Sequence, residues 1–370
     1  MPAIGYILQI DGSPAPPELL GAIARLEVED HADLADMLRL KVSVAVTEDG
    51  GAWTVVDDDL FSRLTNISVK VRVGNDTQTL IDAYVIESEV TFSNEPGGSF
   101  LEVVAMDATV QMTLEEKVRA WPDMADADIA SAVFGDYGYN ADVEQTSPTR
   151  QEVRHTTMQR GTDIAFLKKL ASRNGYECFV ETDPASGQAF GHFHKPRVEE
   201  TPQGVLTVNQ GAATNINAFT SRFEMLKPVT AVATGLDIST GEEQPADSQA
   251  AALTNLGERP ALAEADRRTI LLSRTGLVDA GELQAMAQAV VDDSSWAITA
   301  EGELNTPAYG GVLRAKRPVL VRGAGRTFSG SYYVERVHHG FTEHGYVQRF
   351  SLRRNALGVT GSENFAAEAV

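Results

Sequence analysis

The sequence predicts an α+β chain in which β dominates, with β units towards both ends. Three observations carry that prediction. Several segments alternate apolar and polar residues at a period of two. Short clusters of Gly, Asn and Pro punctuate them. Helical periodicity is confined to the middle of the chain and to one later stretch.

In the first third, residues 38–46 set Leu38, Leu40, Val42 and Val44 against Arg39, Lys41 and Ser43. Residues 66–73 set Ile67, Val69, Val71 and Val73 against Ser68, Lys70 and Arg72, the pattern of a half-buried strand. GNDT at 74–77 predicts a turn, and 80–92 and 99–105 predict two further strands around the turn at 94–98. Strands joined by short turns imply a small barrel or a sandwich.

The texture changes near Asp107. Helix is predicted over 114–118 and 126–134, the second capped by Asp126, with Ile129, Ala132 and Val133 inward and Gly135 and Gly138 at its end. The sharpest unit is QRGTDIAFLKKLASRNGYECFV, residues 159–180. Thr162 is placed to cap a helix with its hydroxyl, and Asp163 puts negative charge where the helix dipole favours it. Phe166, Leu167, Leu170 and Ala171 make one apolar face, leaving Lys168, Lys169 and Arg173 to solvent. Gly175 is a left-handed stop, after which 176–180 and 190–194 are extended.

Strand character returns at 204–208 and 219–234. The polar, acidic stretch 239–260 predicts a loop excursion. Leu283, Met286, Ala287, Val290 and Val291 predict a helix over 280–291. Strands follow at 297–304, 318–322, 331–341 and 346–352, and the tail after Gly358 reads as flexible.

Composition excludes several function classes. The 370 residues carry a net charge of −21, which argues against a nucleic-acid binder needing a basic face. Residues 1–60 hold 12 acidic and 3 basic residues, whereas 312–354 hold 9 basic and 2 acidic. Such segments either complement each other, between domains or between subunits, or are solvated faces. Cys178, the single cysteine, lies among apolar residues and reads as a packing thiol. No signal peptide and no apolar run long enough to span a membrane is visible, so synthesis in the cytoplasm is expected.

Catalytic chemistry is not signalled. There is no H-E-x-x-H, no G-x-S-x-G and no P-loop, and Gly323-Ala324-Gly325 reads as a turn between strands. His192 and His194 share a strand face and are able to share a metal, but no third ligand is evident nearby, so they read as polar strand positions. His338 and His339 point to opposite faces, as do Tyr332 and Tyr333, one of which is expected in the core and the other at the surface or an interface. Asp57-Asp58-Asp59 and Asp123, Asp126 and Asp128 do not form a glycosidase pair. Aromatics at 7% build no stacking platform for single strands. No catalytic residue, cofactor or metal is expected.

Two stretches resemble one family in the right order. The first is Gln159, the Thr162-Asp163 pair, Phe166-Leu167, Leu170 and Gly175. The second is a closing hairpin with Gly330, Tyr333 and Val334, then Gly345 and Tyr346, then Arg354, Asn355 and Gly358. Both resemble the phage late control D family, the hub proteins of contractile tails and the hub half of VgrG-type spikes.

The resemblance implies two β-barrel domains of similar fold with helical material between them, assigned here as 1–107 and as 201–235 with 297–358. An α+β middle at 108–200, a loop-and-helix insertion at 236–296 and a tail at 359–370 complete the division. It further implies a non-catalytic baseplate hub, a homotrimer joining a hexameric tail tube to a trimeric spike, with other baseplate proteins as partners. Because nothing follows residue 370, the spike is expected on a separate chain. The competing readings are a peptidoglycan hydrolase and a carbohydrate-binding module.

Overall fold

A computed structural model of the chain describes residues 4–47, 50–146, 156–183, 187–236, 240–264, 268–273 and 280–366. Strand accounts for 46% and helix for 19%, so the expected α+β class with β dominant is the one observed. The first β unit comprises β1 (Ile4–Ile10), β2 (Ile23–His31), β3 (Met37–Ser43), β4 (Asn66–Val73), β5 (Asp76–Thr91) and β6 (Phe100–Asp107). Its inward face is the period-two set read from the sequence: Leu38, Leu40, Val42, Ile67, Val69 and Val71 are almost fully buried. β1 and β2 escaped the sequence reading. In β2, Leu26 and Val28 are followed at the next inward position by Asp30, which breaks the apolar pattern.

The middle region holds β7 (Glu116–Trp121), α1 (Asp126–Asp136), β8 (Asn140–Val143), β9 (Thr157–Thr162), α2 (Asp163–Asn174), β10 (Glu177–Thr182) and β11 (Ala189–His194). Both helices pack on the small sheet β10–β11–β8 around Phe134, Leu167, Leu170 and Phe193. Cys178 is buried in this core, and burial pushes its thiol up to about 12. The helix expected over 114–118 is not formed. A 3-10 turn at Ala108–Thr113 leads instead into β7, because 116–121 pairs antiparallel with β9.

The last part contains β12 (Val205–Thr207), β13 (Ile216–Phe223), β14 (Thr230–Leu236), β15 (Glu243–Ser248), β16 (Thr269–Ser273), α3 (Ala280–Ser295), β17 (Ile298–Leu304), β18 (Pro318–Arg322), β19 (Gly330–Thr342) and β20 (Gly345–Arg354). The strand expected over 219–234 is interrupted after Phe223, and its second half joins a different sheet. Within the stretch expected to be a loop, β15 pairs along β14, and α3 covers that sheet with Leu283, Ala287 and Val291. Its alanines and acidic residues concealed an edge strand. Gly325–Phe328 forms one helical turn after Gly323, too short to present a nucleotide site.

The two β units are not separate. One sheet runs β13–β17–β20–β19–β2–β3–β6–β5–β4–β1, and the antiparallel pairing of β19 with β2, from Arg336↔His31 to Phe341↔Leu26, joins them edge to edge. Each unit keeps its own core, but Phe341 and Tyr346 of the second hairpin pack into the first one. Edge pairing satisfies backbone groups that would otherwise be exposed. Among the described residues no helix is long and apolar enough to cross a membrane.

Candidate functional site

The β2–β19 seam is underpinned by a buried ionic cluster. Period two carries Asp30 to the core face of β2, and the segment before β18 brings Arg314 and Lys316 against it. Lys316 Nζ lies 2.8 Å from Asp30 Oδ1 and 2.8 Å from Asp36 Oδ2, and Arg314 Nε lies 2.9 Å from Asp30 Oδ2. Arg314 also donates to the Leu80 carbonyl and reaches Glu181 of β10 at 3.4 Å. One cluster thus binds β2, β5, the middle sheet and the second unit. Lys316 sits in the left-handed region at φ 65, a strain held by these contacts.

The charges are unevenly shared. Burial by itself raises the Asp30 carboxyl, but Lys316 and Arg314 outweigh it and hold the group well below the carboxylate range. Asp36 is raised to about 8, because burial and the neighbouring Asp30 and Asp107 outweigh its share of Lys316. The oppositely charged segments read from the sequence therefore complement each other within the chain. Glu29 meets Arg336 at 3.5 Å and Asp33 meets Arg353 at 3.1 Å along the same seam.

A second buried group links the middle region to the closing hairpin. The Tyr333 hydroxyl donates to Glu177 Oε2 at 2.7 Å, and Arg353 Nη2 lies 2.7 Å from Glu177 Oε1. The Arg353 guanidinium also stacks 4.8 Å from the Trp296 ring. Burial raises Glu177 to about 7 despite Arg353 and Tyr333. Tyr332 and Tyr333 are both fully buried, in separate cores, so neither is the surface or interface residue expected.

Most of the residues that carried the resemblance fall into two buried clusters. Gln159 is fully buried, accepting from Trp121 Nε1 at 3.1 Å and donating to Asp163 Oδ1 at 2.5 Å. Asp163 Oδ2 accepts from Lys117 at 2.5 Å and Tyr137 at 2.6 Å, so Asp163 is a lock between β7 and α2 as well as first-turn charge. Thr162 occupies the N-cap, but its hydroxyl makes no cap hydrogen bond. Phe166, Leu167 and Leu170 face the core as expected, and Gly175 ends α2 at φ 68. Arg173 is not left to solvent: it forms a two-pronged pair with Asp126, which occupies the first turn of α1 while Ala125 stands at the cap, and it reaches Glu282 of α3.

In the hairpin, a side chain at Gly330 would run into the Arg354 guanidinium, and Gly358 turns the chain in the left-handed region at φ 76. Arg354 is fully buried and donates to the carbonyls of Leu256, Ser329 and Gly358. Asn355 accepts from the Leu256 amide at 2.9 Å and donates to the Thr254 carbonyl. Together they pin residues 254–258 against the sheet. Val334 lies in the second core, Gly345 turns the hairpin at φ 116, and the Tyr346 hydroxyl meets His339 Nδ1 at 2.7 Å.

One cluster has ligand chemistry. His192 and His194 share a face of β11, as expected. The parallel pairing of β11 with β8 sets Asp142 directly opposite His192. This third group was invisible in the sequence, fifty residues away and dependent on a short parallel strand. Burial depresses both imidazoles, His192 to about 4, so both are neutral at pH 7. Asp30, Asp36, Arg314, Lys316 and Arg353 were signalled beforehand only by the opposite charge of the two segments, and Glu177, which lies in neither, was not signalled as a charge partner.

Solved structures share this fold. A 43 kDa tail protein of prophage MuSo2 from Shewanella oneidensis superposes with a TM-score of 0.66 at 12% identity, over 96% of this chain and 100% of that one. A tail protein from Neisseria meningitidis gives 0.67 at 11% identity, over 95% and 97%. An E. coli type VI secretion component, described as similar to the T4 tail proteins gp27 and gp5, gives 0.58 at 10%, over 94% of this chain and 76% of its own. No curated protein matches the chain. The family model that does match, over residues 8–343, is that of the Alg8 N-terminal domain, and the chain belongs to that family.

Proposed function

We propose that this chain is a structural, non-catalytic baseplate hub of a contractile phage tail or a tail-derived injection system. In this reading three copies form an adapter between a hexameric tail tube and a trimeric spike. The late control D type of hub, synthesis in the cytoplasm with incorporation into a particle, and contacts with other baseplate proteins belong to the same proposal. So does the division into barrel-like domains at 1–107 and at 201–235 with 297–358, around a middle region at 108–200 and an insertion at 236–296.

The observation that supports it most is coverage. The likeness to tail proteins extends over nearly the whole of both chains. A protomer with two such units offers two docking surfaces, so a closed trimer presents six to a hexameric partner. Buried ion pairs that fix one β unit against the other suit a part whose work is geometric.

The test is a gentle pull-down of the tagged chain from cells making the particle, with mass spectrometry and negative-stain imaging. Co-elution of tube, sheath and spike proteins with rods tagged at one end is the expected result. A clean eluate from particle-producing cells refutes the hub, and cleavage of peptidoglycan by the purified chain refutes its non-catalytic character.

A further inference from the structure

From the geometry of Asp142, His192 and His194 we infer that the middle region holds a divalent metal site of the zinc class, binding one ion between strands β8 and β11. One ligand atom from each residue lies within 4.8 Å of the other two. His192 Nδ1 is 3.0 Å from Asp142 Oδ2 and 3.3 Å from His194 Nε2. Ligands at ~2.0–2.1 Å from a tetrahedral zinc stand about 3.3 Å apart, so two of the three edges already have nearly the right length.

The surroundings orient these ligands. His194 Nδ1 lies 2.8 Å from the Lys195 carbonyl, which only accepts, so Nδ1 carries the proton and the neutral ring offers the Nε2 lone pair inward. The Phe179 ring stacks on His192 at 4.5 Å and meets His194 edge-on at 5.8 Å, fixing both imidazole planes. Asp142 Oδ2, the oxygen that faces His192, also accepts from Arg197 Nη2 at 2.5 Å, so an ion bound there shares this oxygen with the guanidinium or takes Oδ1 instead. In the bound form His192 carries its proton on Nε2 and turns the Nδ1 lone pair to the ion. Asp142 is one-third exposed, which leaves the fourth position to water.

Two imidazoles and one carboxylate select a borderline ion over magnesium or calcium, which favour all-oxygen shells. The ion would cross-link the four-residue strand β8 to β11, where four parallel residue pairs now join them. This inference stands apart from the hub reading and does not depend on it.

The experiment uses the full chain with any affinity tag removed, stripped with chelator, dialysed and titrated with Zn²⁺ by calorimetry. Co²⁺ is added in parallel for its visible absorption. Expected are about one Zn²⁺ per chain, intense tetrahedral-type Co²⁺ bands, and at least ~10-fold weaker binding in Asp142→Asn and His192→Gln. Circular dichroism and elution volume establish that the variants are folded. Asp142→Asn, nearly isosteric and partly exposed, decides the matter alone if His192→Gln does not fold. Absence of stoichiometric Zn²⁺ binding, or equal binding by wild type and folded Asp142→Asn, overturns the site.

Discussion

The Tyr333 hydroxyl donates to Glu177 Oε2 across 2.7 Å, joining strand β19 of the closing hairpin to strand β10, which follows helix α2. These are the two stretches of sequence that carried the family resemblance, and more than 150 residues separate them. Arg353 shares the same carboxylate, so one buried side chain receives both partners of the hairpin. Replacing Tyr333 by Phe removes one donor and is expected to cost ~1–2 kcal/mol. Arg353→Met leaves Glu177 without its cation and is expected to cost more, roughly 3 kcal/mol. Urea titrations of the two variants check the order, and equal losses contradict it.

Lys316 donates to two buried carboxyls, the ionised Asp30 and the largely protonated Asp36, and no other lysine reaches them among the described residues. Lys316→Met leaves the buried Asp30 carboxylate to Arg314 alone and is expected to lower stability by about 3 kcal/mol. Adding Asp36→Asn to it should change stability little at pH 7, because the carboxyl of Asp36 already favours its protonated form. Thermal unfolding of the single and double variants decides; a double variant less stable than the single one contradicts the assignment.

Helix α2 offers an internal comparison between two cations. Arg173 pairs with Asp126, whereas Lys169 is exposed. Arg173→Ala should cost ~2–3 kcal/mol by removing the cation that meets the buried Asp126 carboxylate, and Lys169→Ala should stay within ~0.5 kcal/mol. Parallel denaturant curves give both values, and a Lys169 effect as large as that of Arg173 would refute the pairing argument.

Burial depresses His339 to about 3, whereas in the unfolded chain it titrates near 6.5. The unfolded state therefore binds the extra proton first, and stability falls as pH drops from about 6.5 towards 3. Between pH 7 and pH 4.5 this one group contributes a loss of ~2–3 kcal/mol. His339→Gln should flatten that part of the profile, seen as a smaller difference in melting temperature between the two pH values. An unchanged difference would show that acid sensitivity lies elsewhere.

What depends on neighbours a few residues away was legible in the amino-acid pattern. The inward faces of β3 and β4, the apolar face of α2 and its left-handed end at Gly175 follow from local periodicity and from glycine's freedom at positive φ. The opposite charges of residues 1–60 and 312–354 announced a complementarity without saying where it lay. Tertiary structure decided everything that needed a distant partner. The segment 116–121 became a strand because β9 lay beside it, and β15 formed in an acidic stretch because β14 offered an open edge. Arg173 turned inward to Asp126, Asp30 took a core position because Arg314 and Lys316 met it, and Asp142 came to His192 through a four-residue parallel register. A buried charge or a shared ligand is stable only when its partner is in place, and that partner's position is a property of the whole fold.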